Sequence, residues 1–172
     1  MRREFLAVAV VLPLVVLAFG MVRAERHLRE NRRWVFEVTG YDPRDLLRGH
    51  YIQYRLVLDE GDPEGLGAEP CDDSPDLDCC LCLEADFPAG PTRVVRTTCE
   101  TAYARCEGTL QTRYLDDLQR YYIPEERADE ITRLFQDASQ EHRARLVIAV
   151  DESGKPQIDT LLVDDVPIDY AR

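Results

Sequence analysis

Six cysteines, Cys71, Cys79, Cys80, Cys82, Cys99 and Cys106, fall between residues 71 and 106 of this 172-residue chain. Thiols so clustered have three uses: cross-linking a small domain, thiol-disulfide exchange, or metal binding. The single C-x-x-C spacing, Cys79 to Cys82, has no second one to complete it, and the adjacent Cys79 and Cys80 point to opposite faces of any strand, so the spacing supports zinc weakly. If residues 88–91 form a hairpin turn, opposite residues sum to about 179 and Cys80 faces Cys99 at ~4.5 Å between Cα atoms, within disulfide reach. Cys71, Cys79, Cys82 and Cys106 then make two more bonds, in a pairing the sequence does not choose. Disulfides are the expectation, with free thiols and a metal site as the alternatives.

Other residues could do chemistry and are better explained without it. His27, His50 and His142 are far apart, none at ligand spacing. Lys155, the only lysine, is a conceivable base for Ser153, but both sit with Gly154 where a turn wants such residues. Asp72, Asp73, Asp76 and Asp78 lack the central glycine of a calcium loop and read as a solvated acidic segment. Tyr121 and Tyr122, near Tyr114 in sequence, could line a partner groove or pack against a helix. In DPRDLLRGHY, Asp45, Arg48 and His50 look like a catalytic group. Asp42 can instead cap a short helix with Pro43 at its first position, Asp45 can pair with Arg48, and Gly49 can close it in a left-handed conformation. Leu46 and Leu47 would seat that corner between two strands. No catalytic, cofactor or metal residue is assigned.

The elements that must position these residues begin with a run from Phe5 to Val22 that carries no charge. As a helix it rises ~27 Å, close to the ~30 Å hydrocarbon core of a bilayer. An uncleaved membrane anchor is expected, the alternative being a signal peptide cut near Ala24. The helix should run on through a basic stalk to Arg33, giving an anchor and stalk at 1–33 and a domain at 34–172. The five arginines after Val22 favour a cytoplasmic domain, whereas the clustered cysteines favour an oxidising compartment. The cysteines decide for the extracytoplasmic side. Residues 1–33 hold seven Arg and three Glu, which leaves 14 basic and 30 acidic groups in 34–172. So acidic a domain repels phosphate backbones and excludes nucleic acid as a partner. The bilayer and a second membrane protein remain.

Within the domain, residues 34–39 and 51–58 are rich in β-branched and aromatic residues and read as strands. Ile52, Tyr54, Leu56 and Leu58 share one face. Residues 59–78 read as an exposed loop, 79–87 and 92–99 as strands, and 110–114 as a further strand. Pro124 opens a helix whose buried stripe is Ala128, Ile131, Leu134, Phe135 and Ala138. Residues 145–150 and 158–163 form a hairpin across 151–155. The expected class is α+β: a transmembrane helix, then a mainly antiparallel sheet or small open barrel with one packed amphipathic helix.

DPRDLLRGHYIQYRL, following the apolar run and a short strand, resembles the signature of the GDYXXLXY family of bacterial membrane-anchored proteins, roughly DPRDLLRGDYVxLxY. RYYIPE at 120–125 is similar to the family's RYFIPEG, and VIAVDESGKPQIDTLLVDDVPI to its VAVDxDGxAxLKGLLVDGxP ending. The resemblance spans nearly the whole chain except the Cys-rich middle, which looks like an insertion. Asp42, Pro43, Arg44, Asp45, Arg48, Gly49 and Tyr51 match the signature. His50 replaces its aspartate, Tyr54 its leucine and Leu56 its tyrosine, so any chemistry at that aspartate or second tyrosine is missing here. The resemblance implies an anchor and an extracytoplasmic (periplasmic) domain, and no established activity or cofactor. The functional expectation is a membrane-anchored accessory or binding protein that is not an enzyme. A thiol-disulfide or metal-dependent enzyme using the cysteines is the alternative.

Overall fold

The computed structural model of the chain describes residues 2–41, 51–61, 71, 79–84 and 90–168. The corner expected at 42–49, with His50, lies outside them, as do the four loop aspartates. Two compact units divide the chain, Met1–Asn31 and Arg32–Arg172.

The first unit is one helix, α1 (Arg2–Glu30). Its large apolar side chains from Val11 to Val22 are exposed. Taken from Val11, the apolar run is soon interrupted by Arg23, Glu25 and Arg26. Among the described residues no helix is long and apolar enough to cross a membrane. The helix stops at Glu30, short of the expected Arg33, because Arg32 and Arg33 already belong to a strand.

That strand, β1 (Arg32–Tyr41), pairs antiparallel with β2 (Tyr51–Val57), and after Leu58 the chain enters β3 (Asp59–Glu60). A strand was not expected at 59–60. Then come β4 (Cys79–Glu84) and β5 (Arg93–Thr98), an antiparallel pair. Cys99 was expected to end β5; it begins a helix instead, α2 (Cys99–Arg105), capped by the Thr98 hydroxyl accepting from the Thr101 N–H. The strand expected at 110–114 is β6 (Gly108–Gln111), and residues Thr112–Tyr114 tighten into a 3₁₀ turn. β7 (Arg120–Tyr122) follows. Pro124 precedes a 3₁₀ turn at Glu125–Arg127, and α3 (Ala128–Gln140) starts after it. The hairpin is found as expected, β8 (Ala144–Val150) and β9 (Pro156–Val163), and β10 (Val166–Pro167) ends the described fold.

The strands form two sheets, β10-β9-β8-β1-β2-β7 and β3-β5-β4-β6, antiparallel except for β3 with β5. The chain passes from one sheet to the other between β2 and β3. A second junction is the Val35 N–H donating to the Thr92 hydroxyl at 3.0 Å while Thr92 N–H donates to the Val35 carbonyl at 2.7 Å. At the far edge, the Gln111 N–H reaches the Gly154 carbonyl in the β8–β9 turn at 3.1 Å. The result is a partly closed barrel.

Period-2 alternation sends Trp34, Phe36 and Val38 of β1, Tyr54 of β2, Leu81 and Leu83 of β4 and Leu146 and Ile148 of β8 into one core. α3 closes it with Ala128, Ile131, Phe135 and Ala138. Burying each large side chain there contributes ~1.5–3 kcal/mol. Tyr54 is the exception in kind: its ring packs on Phe135 at 6.2 Å, but its hydroxyl is buried with no hydrogen-bond partner among the described residues. Burial, with the Tyr121 phenol adding to it, pushes the Tyr54 hydroxyl well above the ordinary tyrosine range.

Tyr54→Phe is therefore expected to stabilise the domain by about 1 kcal/mol, the penalty of an unpaired buried hydroxyl. The pH dependence has a sign. The raised folded pKa leaves this contribution constant below the unfolded value of about 10; above it, the unfolded chain releases a proton that the folded one keeps, and stability falls. Urea unfolding of both proteins should show the advantage of the phenylalanine variant widening above pH about 10. A constant difference would show that Tyr54 ionises in the fold.

Candidate ligand-binding cleft

All six cysteines are paired: Cys71–Cys79, Cys80–Cys99 and Cys82–Cys106. Cys80 and Cys82 lie on the face of β4 opposite Leu81 and Leu83, and their partners stand at the first residue of α2 and just after its last. α2 is thus held at both ends against the outer face of β4, over the buried Ala102. Its Tyr103 hydroxyl donates to the Ser153 carbonyl at 2.6 Å, which the Gln111 side chain also reaches at 2.7 Å. Cys80 and Cys82 are fully buried in the disulfide-bonded protein.

His27 belongs to the helical unit, while His142, at φ 56° after α3, lies 4.0 Å from a Glu37 carboxylate oxygen. Among the described residues no group of three His, Cys, Asp or Glu side chains could hold a metal ion. The Ser153 hydroxyl donates to Asp151 at 2.6 Å, and the same carboxylate accepts the Ser153 and Lys155 N–H groups, so Ser153 and Lys155 serve the turn. Tyr121 and Tyr122 take opposite faces of β7: Tyr121 packs on the core, and Tyr122 is exposed at 6.1 Å from the Tyr51 ring. β2 and β7 pair there, Tyr51 opposite Tyr122 and Gln53 opposite Arg120. Residues Tyr51–Gln53 and Arg120–Tyr122 are thus neighbours at the sheet edge, with the Arg120 guanidinium 5.6 Å from the Tyr51 ring centre. Tyr114 packs under Arg113 in the 3₁₀ turn.

An open concavity lies on the outer face of the six-stranded sheet. It is a cleft of about 490 Å³ across β1, β8, β9 and β10. Val35, Val147 and Leu162, a small apolar cluster separate from the main core, make its floor. Four charged side chains make its walls in two pairs. Arg33 of β1 reaches across β8 to Asp159 of β9 at 2.9 Å, and Arg145 of β8 reaches Asp165 at 2.6 Å.

Backbone irregularities aim both carboxylates. Val147 faces Thr160 and Ile148 faces Ile158, so Asp159 is an extra residue, a β-bulge. By strict alternation Asp159 would follow Leu161 and Val163 into the core; the bulge turns it outward. Asp164 and Asp165 form the two-residue turn between β9 and β10, with φ of 53° and 65°. Such a turn favours glycine at its second position. Nothing in the residue spacing announced this cleft. Its one sequence trace is Asp164-Asp165 between Val163 and Val166, a two-residue turn without glycine.

Asp165→Gly is expected to stabilise the domain by up to about 1 kcal/mol, because glycine adopts positive φ without strain and the exposed ion pair it removes contributes little. Thermal unfolding of the two proteins measures it; a lower melting temperature for the glycine variant would mean the Arg145 pair outweighs the backbone.

A family model described as GDYXXLXY protein matches residues 13–161. No curated protein matches, and no solved structure does.

Proposed function

The chain belongs to the GDYXXLXY family, and from that premise we propose that it is a membrane-anchored, extracytoplasmic accessory or binding protein. The observation that carries the reading is the set of three disulfides, which persist in oxidising compartments and rarely elsewhere. The uncharged sequence from Phe5 to Val22, with the exposed apolar side chains of α1, supports the anchor. The domain offers a cleft with mutually paired charges and no convergent nucleophile, base and oxyanion donor among its described residues. Binding is what such a site does. The partners are the bilayer, through Phe5 to Val22, and a second membrane protein.

The test is alkylation of intact cells with a membrane-impermeant thiol reagent. No labelling before reduction, and labelling of the six cysteines after denaturation and reduction outside the membrane, is the expected result. Thiols that react without reduction, and only once the membrane is broken, would put the domain in the cytoplasm.

A further inference from the structure

We propose that the cleft of the six-stranded sheet binds a small zwitterion of the amino-acid or short-peptide class; this rests on the reading of the domain as a binding module. Three observations converge on its walls. The bulge at Asp159 redirects a carboxylate that the regular strand would send into the core. Two consecutive aspartates hold positive φ at a turn that glycine would make without strain, and the second lines the cleft. Arg33 spans β8 to reach the bulged residue. A bare sheet face needs none of these.

Charge then selects the ligand. Among the described residues the cleft is lined by two guanidinium and two carboxylate groups, whose charges balance within a domain otherwise rich in acid. A molecule with only a negative group gains the arginines and meets the aspartates as repulsion; one with only a positive group meets the reverse. A molecule carrying both exchanges each internal pair for a charge-assisted bond to itself. The exchange costs little because the internal pairs are partly exposed, Asp165 above all. Val35, Val147 and Leu162 offer apolar contact to a side chain, and 490 Å³ lies within the usual range for a small-ligand site.

The test uses the full chain in detergent micelles with its disulfides intact, titrated by calorimetry with the dipeptide Ala-Ala. Its N-acetyl and C-terminal amide derivatives each keep one charge. Ala-Ala should bind saturably and each derivative about tenfold more weakly or worse, the worth of one charge-assisted bond. Asp159→Asn and Arg33→Gln should weaken Ala-Ala by a similar factor. Asp165→Gly should weaken it too while folding at least as well, which separates loss of the site from loss of the fold. Equal binding of all three peptides, or none saturating by ~10 mM, overturns the proposal. Peptide failure with externally oxidised cysteines sinks the ligand assignment alone; cytoplasmic thiols sink the wider reading.

Discussion

Replacing Cys80 and Cys99 by serine, or Cys82 and Cys106, lowers the unfolding free energy by about 3 kcal/mol in each paired variant, the loop-closure value for such separations. The bonds span 19 and 24 residues. The loops overlap, so closing one shortens the other, and the fourfold variant should lose less than the sum. What it loses structurally is α2. Seven residues with a single buried side chain, Ala102, do not hold a helix in water without tertiary ties. Without the clamp, Tyr103 and Gln111 should let go of Ser153, and amide exchange at Gly108–Gln111 and in the β8–β9 turn should accelerate. Urea unfolding and hydrogen exchange on the paired variants measure both. A loss below about 1 kcal/mol in both pairs would show that strand pairing holds this sheet unaided.

The second large effect is at Gly108. A Cβ placed there would stand 2.2 Å from Trp34 Cζ2 and 2.8 Å from Cε2. Trp34 is 1% exposed and packed in the core, and Gly108 is itself paired to Leu83 in β6, so neither side can withdraw freely. Gly108→Ala should cost about 3 kcal/mol, the upper part of the range for overpacking a core. Trp34 is the only tryptophan, so its fluorescence reports the disturbance directly. In a Trp34→Phe background the same substitution should cost much less, because the smaller ring leaves room. Equal costs in both backgrounds would trace the effect to the β6 backbone.

The elements governed by a clean period were legible. Ile52 and Tyr54 went to the core, with Leu56 and Leu58 packed against it, and so did the α3 stripe except Leu134, which stays partly exposed outside the cluster while Ser139 is buried in its place. The Cys80–Cys99 bond was also legible, though by a register that differs from the real one. Opposite residues sum to 177, Cys80 facing Thr97, and the bond reaches Cys99 because the chain turns into α2 there, with the Cα atoms 4.8 Å apart. α2 escaped notice because CETAYAR has no apolar stripe; only the Thr98 cap marked it. The cleft was illegible for a different reason. Which face Asp159 takes depends on one unpaired residue in a ladder, and alternation cannot locate a bulge before the pairing is known.

The interleaving of the cysteine bonds constrains how the protein matures. A chain oxidised as it emerges, amino terminus first, meets its cysteines in the order 71, 79, 80, 82, 99, 106. Pairing each with the next gives 71–79, 80–82 and 99–106, of which only the first is native. The other two native bonds, 80–99 and 82–106, cross in sequence, so Cys80 must wait, still reduced, until Cys99 has been synthesised and β4 has met β5. Premature pairs are undone only by attack of another thiolate, which is slow without an isomerase. The yield of this protein in a cell thus depends on the supply of disulfide-shuffling activity more than on the supply of oxidant.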